Sequence, residues 1–192
     1  MPLPDDLRSC RLCADRFAAT HTAHRPKPVV WFKPGAPILV ASQAPGMRAH
    51  TSGKPFDDPS GVRLRDWMGI DEKTFWNKDN LAIVPMGFCF PGYDAKGSDL
   101  PPPRVCARTW RDAALRHVGQ PRVTLLIGGY AQDWTLGKGR VTDRVRDWRA
   151  FAPQVFCLPH PSWRNTAWLR KHPWFQTDIL PVLRRTIQEA LP

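Results

Sequence analysis

Five cysteines, one histidine beside a proline and two polar loops are the parts of this 192-residue chain whose types and spacing suit chemistry. Cys10 and Cys13 form a C-x2-C pair, the spacing at which two thiolates from one turn grip one ion. Cys89 and Cys106 follow far downstream with 16 residues between them. Four thiolates suit a zinc ion or an iron–sulfur cluster, and the spacing leaves both open. An odd cysteine count without the basic-then-apolar order of a secretion signal argues against a disulfide framework. Cys157 lies inside an apolar run and fits a small core residue.

The second centre is the stretch CLPHPSWRN, Cys157 to Asn165. A buried strand end gives way at once to His160, Ser162, Trp163, Arg164 and Asn165. A solvated loop would explain this, and so would a pocket at a sheet edge. SQAPG, Ser42 to Gly46, likewise follows a short apolar run, and its proline and glycine permit close backbone approach to a ligand. His50, slightly further on, is an imidazole able to act as base or donor near neutral pH.

These residues need elements to hold them. Ile38–Ala41, Leu81–Val84, Val123–Ile127 and the run QVFCLP (154–159) have the composition of buried strands. Helical spacing appears in DPSGVRLRDWMGI, where Asp58 or Ser60 suits the cap, and again in CARTWRDAALRHV and RVTDRVRDWRAF. TDILPVLRRTIQEAL predicts a closing helix that bends or begins near Pro181. Buried strands alternating with helices predict an α/β fold, a single three-layer α/β/α domain with a short central parallel sheet. One domain over 1–192 is expected, with residues 1–35 as an N-terminal segment carrying the first cysteine pair. Three strands leave into unusual loops, SQAPGMRAH, PMGFCFPG and HPSWRN. Loops at the carboxyl ends of such strands form ligand sites.

Charge narrows the partner. A formal net charge of +11 favours a polyanion, nucleic acid first. Nine tryptophans exceed what a core this size needs, and spare aromatics suit stacking on exposed bases. No apolar run approaches the roughly 18 residues of a membrane span, so no membrane partner and a cytoplasmic location are expected.

Taken in order, APG after a strand, GKPFDDPSG soon after, four cysteines as C-x2-C…C-x16-C, and HPS after the last strand resemble the uracil-DNA glycosylase superfamily. The nearest branch is the iron–sulfur-containing family 4 type, and the resemblance runs from Cys10 to the final helix. It implies a monofunctional glycosylase that removes uracil, or another deaminated base, from single- or double-stranded DNA and leaves an abasic site. A 4Fe–4S cluster on Cys10, Cys13, Cys89 and Cys106 is implied, with structural zinc as the alternative. His160 then stabilises the departing base, while Gln43 and His50 are the candidates to position or activate water. Ser42, Ala44, Pro45, Gly46, Phe56 and Ser162 would hold the base, with Phe56 stacked on it. Trp163, Arg164 and Asn165 would engage DNA, Trp163 as a wedge, with Arg170, Lys171 and His172 nearby. A monomer is expected.

The chain departs from the pattern at two places. Gln43 stands where family 4 members carry glutamate. Val84, Pro85 and Met86 occupy the stretch that elsewhere holds a base-reading asparagine. A protein that binds uracil or abasic DNA without turnover would show the same changes and is the alternative reading. No motif places a lysine for Schiff-base chemistry.

Overall fold

In the computed structural model, which describes residues 3–192, helices α1 (Leu3–Arg8) and α2 (Ala14–Ala18) precede strand β1 (Ile38–Ala41). Helices α3 (Met47–Ser52), α4 (Pro59–Met68) and α5 (Glu72–Phe75) lead to β2 (Leu81–Ile83). After the irregular stretch come α6 (Arg104–Cys106), a π-helical turn over Ala107–Arg111, α7 (Asp112–Val118) and β3 (Val123–Ile127). Helices α8 (Gly128–Leu136) and α9 (Val141–Arg146) follow, then β4 (Val155–Leu158), α10 (Thr166–Lys171) and α11 (Leu180–Ala190).

The strands form one parallel sheet in the order β2-β1-β3-β4, with Val40 opposite Ile83 on one side and Leu125 on the other. All four residues of β1 are buried, as both-face coverage requires. Pleating sends Ile38 and Val40 toward Leu64 and Trp67 of α4 and Leu183 and Ile187 of α11. Leu39 and Ala82 face the other way, onto Ala114 and Val118 of α7 and Leu7 of α1. The expected α/β architecture with helices on both faces is therefore what forms. Cys157, fully buried in β4, is the core residue anticipated.

Local details differ from the sequence expectation in ways the chemistry explains. Asp58, not Ser60, caps α4, its carboxylate accepting the Gly61 N–H at 2.8 Å. RVTDRVRDWRAF is not one helix: α9 stops at Arg146, and Trp148–Ala150 form a separate 3₁₀ turn that seats Trp148 on Phe156. Helix α11 begins at Leu180 and continues directly from a π-helical turn over Phe175–Ile179, so the helical run is widened just before Pro181. No helix among the described residues is long and apolar enough to cross a membrane.

Candidate active site

The three unusual loops meet over the carboxyl ends of the strands and enclose a cleft of about 800 Å³. Ser42 through Gly46, Phe56, His160, Ser162, Trp163, Arg164 and Asn165 all line it. The SQAPG turn is pinned to the segment after β2 by two backbone bonds, Met86 N–H to Ser42 O at 2.8 Å and Gly87 N–H to Gln43 O at 2.9 Å. Ser42 is buried at the base of the cleft.

His160 follows β4 directly. Its Nδ1 accepts the Ser162 backbone N–H at 3.2 Å, and the Asn165 side chain donates to its carbonyl at 2.7 Å. An Nδ1 that accepts leaves the ring proton on Nε2, free to donate. Burial lowers the histidine's pKa, with the Asp58 carboxylate opposing, so the ring is held neutral. Beneath it Gly128 turns with φ of 75°, and a Cβ there would sit 3.7 Å from the His160 Cβ. A Cβ at Gly128 would only touch the imidazole at ordinary contact distance, so the positive φ is what favours glycine there.

Phe56 is the one cleft residue other than glycine with left-handed backbone, φ 56°. Its ring meets Phe75 edge-on at 6.0 Å. The conformation is enforced from α4: a Cβ on Gly61 would fall 1.8 Å from the Phe56 carbonyl oxygen, so only glycine permits this approach. Strain of this kind concentrates where a side chain must be aimed.

Trp163 stands 75% exposed at the rim, on a 3₁₀ turn, with the Arg164 guanidinium 5.9 Å from its ring centre. Arg164 also donates to the Ser98 hydroxyl at 3.2 Å. Arg170, Lys171 and His172 lie outside the cleft lining, at the end of α10.

The structure does not bring His50 to the cleft. Helix α3 turns it onto His24, at 5.3 Å between ring centres, and Phe90, at 5.9 Å. Burial and the neighbouring His24 lower its pKa, and its Nδ1 is buried without a partner. Its surroundings are a packed aromatic cluster, behind the loop it was expected to serve.

Sequence reasoning missed Arg63, Asp99, Tyr93 and Tyr130, which also line the cleft. Arg63 reaches from α4 to the histidine loop, donating to Ser162 O at 2.9 Å and Thr166 Oγ1 at 3.4 Å. Burial raises the Asp99 carboxyl's pKa against the pull of Arg164. No spacing rule links these residues to the motifs; the only signal was the density of arginine and aspartate in their segments.

The four cysteines line one apolar cavity on the other side of PMGFCFPG. Phe88 N–H points at Cys106 Sγ at 3.4 Å, and the Trp110 indole N–H at Cys10 Sγ at 3.3 Å. Burial, then the other cysteines, raises the Cys89 thiol, and burial pushes Cys106 up to about 11. Among the described residues no three His, Cys, Asp or Glu side chains stand close enough together to hold a metal ion. The thiols are instead distributed round the wall, with N–H groups aimed at sulfur.

The sequence profile of the uracil DNA glycosylase superfamily matches residues 29–184, and the chain belongs to that superfamily. The matched span holds the sheet, the cleft loops, Cys89 and Cys106; Cys10 and Cys13 precede it.

Proposed function

We propose that the protein is a monofunctional DNA glycosylase that hydrolyses the N-glycosidic bond of uracil, or another deaminated base, to leave an abasic site. The observation that carries this reading is the Ser162 N–H to His160 Nδ1 bond, which aims a neutral Nε2–H donor into the cleft. The target nucleotide leaves the stack, and its base enters between the SQAPG turn and Phe56. The bond from sugar C1′ to the base nitrogen breaks with both electrons going to the base, and His160 donates to the base oxygen where charge gathers. Gln43 and the adjoining backbone hold the water that adds to C1′. With no carboxylate at position 43 this water is oriented rather than deprotonated, and its proton leaves after the bond has broken. Its acceptor is Asp99, a cleft carboxylate from another loop. With Ile83 and Pro85 lining the floor where an amide would read the base, backbone groups set the selectivity.

Four cysteines lining one apolar cavity support a thiolate-bound group, a 4Fe–4S cluster with structural zinc as the alternative. Cys10, Cys13, Cys89 and Cys106 would hold it, and their protons would leave as it binds. When bound, such a group supplies a cross-link between the N-terminal segment, 1–35, and the rest of a 1–192 unit. We assign the chain DNA as partner, a monomeric state and a cytoplasmic location.

The test is base release from oligonucleotides carrying uracil, hypoxanthine or xanthine, single-stranded and paired. Release of at least one base with the strand intact supports the proposal. Firm binding without release of any would instead establish the non-catalytic DNA-binding reading, which Gln43 and the missing amide favour.

A further inference from the structure

Arg111 is the largest fully buried side chain, 1% exposed, and among the described residues it has no carboxylate partner. It closes the π-helical turn after Cys106, a widening of the helix that re-aims the side chain at its end. Its guanidinium donates to the Val84 carbonyl at 2.6 Å, and its Nε has no partner. Burial pulls its pKa down to about 10, with exposed Asp112 opposing, which leaves it charged at neutral pH.

An unpaired cation in a protein interior is costly to stability, so its presence here asks for a use. Its location supplies the use. Val84 stands between Ile83 and Pro85, both of which line the cleft, and the next residue, Met86, bonds to Ser42 at the cleft base. The guanidinium is therefore bonded to the backbone between two cleft-lining residues. At 1% exposure it is cut off from bulk solvent, so its field is weakly screened.

We propose that Arg111 is a fixed positive charge under the base pocket that stabilises the negative charge on the departing base. His160 acts on the same charge from the β4 side, by contact; Arg111 acts through the floor, without touching the substrate. This deepens the glycosylase reading and rests on it. It also offers a physical reason why the cleft tolerates glutamine at position 43: the more the leaving base is stabilised, the less the water needs activation.

The experiment is single-turnover release of uracil and of the more acidic 5-fluorouracil from single-stranded oligonucleotides. Wild type is compared with Arg111→Met and Arg111→Gln, which remove the charge, and Arg111→Lys, which keeps it. With two neutral variants, at least one folded protein is expected, checked by circular dichroism. Uracil release should fall about 10-fold in the neutral variants, an effect on the scale of one weakly screened unit charge. The 5-fluorouracil rate should fall distinctly less, because that base needs less help to leave, and lysine should keep the wild-type ratio of the two rates. A structural defect would slow both bases alike, and equal losses, or no loss, would overturn the proposal. Release of neither base by wild type would instead overturn the glycosylase reading beneath it.

Discussion

At His160 one backbone hydrogen bond decides a tautomer, and the tautomer decides what the cleft can do. The HPS stretch was legible as cleft lining because an apolar strand ends in hydrogen-bonding groups. The bond that makes it a donor was not, since it depends on how the loop turns. His50 shows the converse: its residue type and place near SQAPG suggested chemistry, but a helix only six residues long rotated it into an aromatic cluster. Trp163 stands free enough to enter a duplex. Trp163→Ala should slow base release from duplex DNA about 10-fold more than from single strands, since only the duplex must be unstacked. Equal loss on both, in paired assays, would remove the wedge. Arg63→Ala, which frees the Ser162 carbonyl and Thr166, should lower the rate of base release while leaving DNA affinity, read by fluorescence anisotropy, near wild type.

Among the elements, the strands were the most legible, because four short apolar runs buried on both faces have few other uses. Helix boundaries were less so. A break such as that at Arg146 depends on seating Trp148 against β4, a tertiary demand that periodicity does not encode. The contact between α4 and the Phe56 loop is likewise invisible in sequence, yet it is tight. Gly61→Ala should cost about 1–3 kcal/mol in urea unfolding, because its methyl must push the Phe56 carbonyl away. Since the same shift moves the Phe56 ring, substrate affinity should weaken along with stability. An unchanged unfolding midpoint would show that the loop yields freely.

For the whole molecule, the basic charge and the cysteine set had pointed to nucleic acid and a metal group, and neither depended on knowing the fold. What the sequence could not display is that one segment, PMGFCFPG, serves both sites, with Gly87, Phe88 and Cys89 lining the cysteine cavity and Pro85 and Pro91 lining the cleft. Cys89→Ser should give a colourless protein with reduced iron content where wild type purified without oxygen is brown; zinc in a colourless wild type would replace the cluster assignment. Stability should also carry a pH signature. His160 and His50 both have folded pKa values below 6.5, so the unfolded chain binds more protons than the native one as pH falls. Their contribution is present above pH 6.5 and is lost progressively below it, toward the lowered folded values. Thermal midpoints should drop over that window, and less so in His50→Phe; a flat profile would argue that neither ring is held neutral.

The most direct measurement is single-turnover base release by His160→Ala beside wild type, on uracil-containing single strands at neutral pH. Loss of a preorganised donor to a developing oxyanion predicts a fall of roughly 10²–10³-fold with DNA binding retained. A variant that releases base at the wild-type rate would contradict the account, because the chemistry would then lie elsewhere in the cleft.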